Sequence, residues 1–211
     1  MPTVLFIDCW PAPTDDGDWR DRFRAIPPVA ADCGVTLVLR HHLDLPAELP
    51  APAGIILSGS AVNLYRQVPA DDQDGCTLEA FAGLVALLGR LPAVPVLGLC
   101  FGHQFLAFAA GGTLGLMPNY RRSSDYPVRF HRQHALISNL TATTFVESHQ
   151  MVVIDPGPEY EVLAESEDGI EAIGHLHLPR VGVQFHPEYF ERQASPHGRQ
   201  VLVNWFAGLR R

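Results

Sequence analysis

The chain has 211 residues, 47% hydrophobic and 18% charged, the balance of a globular protein with one large core rather than of a disordered or fibrous chain. Its formal net charge is −8, and a surface of that sign repels phosphate backbones, which argues against nucleic acid as a partner. All 15 basic residues are arginine, so a lysine nucleophile or Schiff base is excluded. The opening stretch Met1 to Asp8 lacks a basic region and a small-residue cleavage site, and no signal peptide is expected. No run approaches the roughly 20 apolar residues of a membrane helix. Cysteines 9, 33, 76 and 100 form no CxxC pair, which fits free thiols in a reducing cytoplasm. Neither a metal nor a cofactor is expected.

In chain order, Val4 to Asp8 is a short β-rich apolar run and is expected to be a buried strand. Residues 18–33 have helical spacing, with Phe23, Ile26 and Val29 on one side and Pro27-Pro28 disturbing the pattern. Val35 to Leu39 is the second expected strand. A Pro-rich loop at 45–53 leads into the third, Gly54 to Leu57, which ends in Ser58-Gly59-Ser60. Residues 76–91 carry Leu78, Phe81, Leu84, Leu87 and Leu88 at helical spacing, and Val94 to Leu99 is the fourth strand. A helix follows Cys100. The alternation of apolar strands with helices predicts a three-layer α/β unit spanning 1–211, its mostly parallel sheet covered on both faces. Ligands of such sheets bind beyond the carboxyl ends of the strands. Residues 113–117, 127–137, 144–153, 161–165, 170–177 and 181–186 are expected as short strands between Pro, Gly and Asn turns. Some of these form a small antiparallel extension, and the last returns to the main sheet. Residues 198–209 close the chain as a helix with Val201, Leu202, Trp205 and Phe206 inward.

The segment Val96-Leu97-Gly98-Leu99-Cys100-Phe101-Gly102-His103-Gln104 carries the chemistry. An apolar strand runs into a G-x-C-x-G turn and then a helix, the pattern of a nucleophile elbow with cysteine in place of serine. Gly98 and Gly102 let the helix pack closely. The thiol sits at a helix N-terminus, where the partial positive charge favours thiolate. The N–H of Phe101 faces the same space and can bind an oxyanion. An arbitrary cysteine is more often a buried structural residue, but the strand, both glycines and Gln104 reverse that expectation here. A cysteine nucleophile also needs a base, and the base needs an orienting partner. Gly182-Val183-Gln184-Phe185-His186-Pro187-Glu188 supplies both: a strand ending at His186, a proline that turns the chain, and a carboxylate able to reach back to the ring. His41, His42, His131, His134, His175, His177 and His197 lack such a context and are read as structural or surface residues.

Together the two segments resemble the triad, or class I, glutamine amidotransferases. That family carries a G-x-C-x-G-x-Q elbow about 80–90 residues before an F-H-P-E segment. Gly54-Ile55-Ile56-Leu57-Ser58-Gly59, Gly111-Gly112, Ser148-His149-Gln150 and the closing helix extend the resemblance over nearly the whole chain. It implies the flavodoxin-like fold of that family. It also implies Cys100 as nucleophile, His186 as base and acid, and Glu188 as orienter. The oxyanion hole would use backbone N–H groups of Phe101 and of the loop at Gly59 and Ser60, with Gln104 and His149 at the substrate. Three departures stand out: Ser60 replaces the loop's usual second glycine, Met151 replaces an acidic residue often found after His-Gln, and Asp8-Cys9-Trp10-Pro11 lacks the motifs of anthranilate-type subunits. A serine tolerates positive φ poorly, so the loop is expected to rest in a different, strained geometry.

The resemblance leads to a glutaminase that cleaves glutamine through a γ-glutamyl thioester and passes ammonia to a synthase on another polypeptide, nearest in look to the glutaminase part of GMP synthetase. A γ-glutamyl peptidase acting without a partner is the enzymatic alternative, and a regulatory subunit without catalysis is the third; the intact Cys, His and Glu argue against the last.

Overall fold

The computed structural model describes residues 1–11, 23–46, 50–192 and 197–209. Residues 18–22 of the helix expected at 18–33, and 47–49 of the Pro-rich loop, lie outside the described residues. The first half comprises strand β1 (Thr3–Asp8), helix α1 (Ile26–Asp32), β2 (Thr36–His41), β3 (Gly54–Leu57), β4 (Asn63–Leu64) and β5 (Gly75–Cys76). A 3₁₀ turn at Leu78–Phe81 then leads into α2 (Ala82–Arg90), followed by β6 (Val96–Leu99) and α3 (Phe101–Ala109). The second half has β7 (Thr113–Pro127), β8 (Arg129–Phe130), β9 (Thr144–Asp155), β10 (Tyr160–Glu165), β11 (Ile170–His175), β12 (Arg180–Val183) and α4 (His197–Gly208).

One ten-stranded sheet runs in the order β2-β1-β3-β6-β12-β11-β10-β8, with β9 joining at β11 and β7 pairing β9. From β2 to β12 every pairing is parallel. From β12 outward every pairing is antiparallel. Alternate side chains explain the three layers. Val4, Phe6, Ile56, Leu97 and Leu99 meet Ile26 and Val29 of α1 and Val201, Leu202 and Phe206 of α4. Leu5, Ile7, Ile55, Leu57 and Val96 meet Leu84, Leu87 and Leu88 of α2 and Phe105 and Leu106 of α3 on the other face. Phe101, Phe105 and Phe185 are fully buried, each stabilising the fold by roughly 1.5–3 kcal/mol.

Several local expectations change. Pro27-Pro28 does not disturb α1 but starts it: the prolines occupy its first turn, where a missing N–H removes no helical bond. The expected strands at 113–117 and 127–137 reorganise. Residues 113–127 form one long strand despite Pro118, because the register against β9 shifts between Leu116, opposite Met151, and Arg121, opposite His149. Pro118 falls in that bulge, where it breaks no ladder bond, and Tyr120 of the same bulge is exposed. Residues 135–137 form a 3₁₀ turn instead of a strand. The expected strand 181–186 stops at Val183, because the N–H of His186 leaves the parallel ladder and donates to Val146 O on β9 at 2.8 Å.

Candidate active site

The end of β6 and the start of α3 hold Cys100 at φ 49°, ψ −100°, a left-handed backbone strained for a residue with a side chain. Among the described residues only Asn139 shares a positive φ without being glycine. The turn is this tight because the helix lies almost on the strand. A Cβ at Gly98 would stand 2.5 Å from the Gly102 carbonyl, and one at Gly102 would stand 2.6 Å from Leu57 O. The Cys100 N–H donates to Val183 O of the neighbouring strand at 2.8 Å, which ties the elbow to the strand that leads to His186.

His186 and Glu188 pack beyond the carboxyl end of that strand. Nδ1 of His186 lies 2.8 Å from Oε1 of Glu188, whose side chain is fully buried. Tyr189 stacks on the imidazole at 4.7 Å. Nε2 of His186 lies 3.4 Å from Ser148 O, and the Cys100 thiol donates weakly to the same oxygen at 3.9 Å, so both reactive groups converge on one carbonyl. Both ring nitrogens thus face acceptors, an environment suited to an imidazolium. Burial alone would pull His186 down, but Cys100 and Glu188, through charge and hydrogen bonding, hold it well above its ordinary value. The other thiols differ. Burial, with the Asp8 charge, pushes Cys9 up to about 12, and burial, with the Asp72 charge, pushes Cys76 up to about 11.

The loop after β3 reaches the same point. A Cβ at Gly59 would stand 3.2 Å from Cε1 of His186 and 3.6 Å from the Cβ of Cys100, so a side chain here would press on the His186 ring. Ser58 anchors the loop: its carbonyl accepts from the Gly102 N–H at 3.2 Å, and its hydroxyl accepts from the Cys9 N–H at 2.9 Å and donates to Gly59 O at 2.8 Å. Two such bonds, one at each end of the Ser58–Gly59 segment, hold the backbone that leads to the Ser60 N–H. The expected strain at Ser60 is absent: neither Gly59 nor Ser60 has a positive φ, so the serine requires no glycine-like backbone here. Its hydroxyl accepts from the Val62 N–H at 3.3 Å and stiffens the turn. Phe101 is the first residue of α3, so its N–H is one of the helix's four without an intrahelical acceptor.

Gln104 and His149 are both buried. The Gln104 amide donates to Met151 O at 2.7 Å and to Gln184 Oε1 at 3.0 Å. Gln184 in turn donates to the Cys100 sulfur at 3.5 Å. Gln104 therefore reaches Cys100 through Gln184, a residue that sequence reasoning misses. Its one signal is a polar side chain inside an apolar strand. Ser148 stands out in the sequence only as part of Ser148-His149-Gln150, yet its carbonyl meets both Cys100 and His186, and its hydroxyl bonds the Tyr120 hydroxyl at 2.8 Å. Behind it, Glu147, His149 and Glu171 bring their donor atoms within 4.8 Å of one another, the group able to hold a metal ion among the described residues.

This assembly offers a thiol with an imidazole and carboxylate in line behind it, and backbone N–H groups beside it, the elements of acyl transfer. A model of the family described as "Glutamine amidotransferase class-I" matches residues 29–209. The chain is 31% identical to the pyocyanine-specific anthranilate synthase component 2 of Pseudomonas aeruginosa over 79% of this chain and 78% of that protein. It is 33% identical to the glutamine-hydrolysing GMP synthase of Aeropyrum pernix over 75% of this chain but only 28% of the relative, so it spans about a quarter of that longer protein. The crystal structure of a protein from Thermoplasma acidophilum, described as one subunit of a GMP synthase, superposes with a TM-score of 0.74 at 19% identity, covering 100% of this chain and 95% of the other, which supports the fold. With the model matching most of its length, the chain belongs to the class I glutamine amidotransferase family.

Proposed function

We propose that the chain hydrolyses the side-chain amide of glutamine through a γ-glutamyl thioester on Cys100 and supplies the ammonia to a synthase site on a separate polypeptide. The observation that carries this reading is the convergence of Cys100, His186 and Glu188 at the carboxyl ends of β6 and β12. In the first half-reaction the Cys100 thiol gives its proton to His186 and the sulfur attacks the amide carbon. The developing oxyanion is received by the N–H groups of Phe101 and of the Gly59–Ser60 loop. His186 gives its proton to the departing nitrogen, and ammonia leaves. In the second half-reaction water attacks the thioester, His186 takes the water's proton, and glutamate departs with the thiol restored. Glu188 keeps the imidazole in place and stabilises its charged form throughout. The balance is glutamine plus water to glutamate plus ammonia.

The separate synthase is supported by the name of one relative, a component of anthranilate synthase, while the GMP synthase relative, a longer protein, supports a synthase acceptor without placing it on another polypeptide. The test compares glutamine with a γ-glutamyl dipeptide on the purified chain, alone and with a co-encoded synthase. The expected result is slow cleavage of glutamine alone and stimulation by the synthase. Full-speed cleavage of the dipeptide by the chain alone would instead establish the peptidase activity.

A further inference from the structure

Glu147 and His149 lie two residues apart on β9 and point to the same face, while Glu171 reaches them from β11. All three are buried, with residue exposures of 0%, 3% and 1%. Oε1 and Oε2 of Glu147, Nδ1 and Nε2 of His149 and Oε2 of Glu171 make no well-aligned hydrogen bond. Nε2 of His149 stands 3.2 Å from Oε2 of Glu147, close but badly aligned for a hydrogen bond. Oε1 of Glu171 accepts from the Ser166 hydroxyl at 2.6 Å, the Glu147 and Glu171 carboxyl groups face each other, and His149 lies against the Met151 backbone. Polar atoms so deeply buried without well-aligned hydrogen bonds are costly, and burial pushes both carboxyl groups up, Glu147 to about 8 and Glu171, beside the Glu147 charge, well above its ordinary value.

We infer that Glu147, His149 and Glu171 form a binding site for one divalent transition-metal ion. The donors match such an ion: two carboxylates and one neutral imidazole with a dication sum to zero charge, which removes the burden of burying anions. The 3.2 Å between Nε2 of His149 and Oε2 of Glu147 is close to the edge of about 3.3 Å that ligands make around a tetrahedral zinc ion. The imidazole and mixed oxygen set suits zinc, iron(II), cobalt or manganese better than calcium. The ion would clamp β9 to β11 directly behind Ser148, the residue whose carbonyl meets Cys100 and His186, and so act as a structural support for the catalytic face rather than as a participant. Because the ligands are buried, it enters as the chain folds.

The test refolds the full chain from denaturant with Zn²⁺ or Co²⁺, removes loose ions on a chelating resin and measures metal per chain. A Cys100→Ala background keeps the catalytic thiol from contributing a ligand. The expected result is about one ion per chain, a cobalt spectrum without a thiolate charge-transfer band, and a Tm raised by at least about 3 °C. Glu171→Gln and Glu147→Gln should each lose the ion; should either fail to fold, stoichiometry and spectrum in the parent chain still decide. Less than about 0.1 ion per chain with an unchanged Tm would overturn the site. So would a protonated-carboxyl infrared band, present in the refolded parent chain and absent from Glu171→Gln, because the two carboxyls would then share a proton in place of a metal.

Discussion

Replacing Glu188 by Gln isolates the charge behind His186, because the amide is nearly isosteric and can still accept from Nδ1. The carboxylate is 2.8 Å from the ring nitrogen and its side chain is 0% exposed, so water screens the pair poorly. With the charge centres roughly 4 Å apart and an effective dielectric of about 20, the lost attraction is about 4 kcal/mol. The retained hydrogen bond and local relaxation reduce this, which gives an expected fall in kcat of roughly 10²–10³-fold. The sign of the pH effect follows from the same contact. Glu188 helps to hold His186 well above its ordinary value, so its loss lowers the pH at which the imidazolium is depleted. The alkaline limb of the rate profile should therefore move to lower pH. Steady-state ammonia release across pH, with circular dichroism as a fold check, measures both effects. Turnover within about threefold of the parent together with an unmoved alkaline limb would refute the reasoning, as would a loss larger than that of His186→Ala.

Gly102→Ala should destabilise the chain by about 1–3 kcal/mol in denaturant unfolding, because its Cβ would stand 2.6 Å from Leu57 O. Displacing α3 also moves the elbow, so activity should fall by about 10²-fold even where the variant is folded. Burial, with the His41 charge, lowers His42 to about 4, although its ring bonds Trp10 O. A folded-state value below the unfolded one means that the unfolded chain takes the proton first. The stabilisation is then complete above about pH 6.5 and lost as pH falls towards about 4, up to about 3 kcal/mol. Thermal melts from neutrality to about pH 4 should show a smaller loss in His42→Phe, which keeps the stacking on Phe81 without a titrating ring.

The parallel half of the fold was legible because each strand is a short apolar run and each helix repeats its apolar residues at helical spacing. The antiparallel half was less so. Pro118 and Asn119 read as a break between strands, whereas a bulge absorbs them, and a bulge is fixed by the partner strand rather than by local sequence. The juxtaposition of Cys100, His186 and Glu188 was readable because close packing and strand-to-turn geometry leave a local mark: glycines before and after the cysteine, a proline after the histidine. Ser58 and Ser148 act through backbone carbonyls and hydroxyl bonds that nothing in the local pattern marks, and Gln184 shows only as a polar side chain in an apolar stretch. Glu147, His149 and Glu171 come from two strands paired through Ile170 and Val153, a proximity that only the sheet register creates.

The most direct measurement is the site of covalent labelling by a glutamine-analogue electrophile, mapped by peptide mass spectrometry under native conditions. A single adduct is expected on the peptide containing Cys100, with none in Cys100→Ala and slower labelling in His186→Ala. The buried Cys9 should remain unmodified. Labelling at Cys9, Cys33 or Cys76 with Cys100 left free, or undiminished glutamine hydrolysis by Cys100→Ala, would contradict the assignment of Cys100 as the nucleophile.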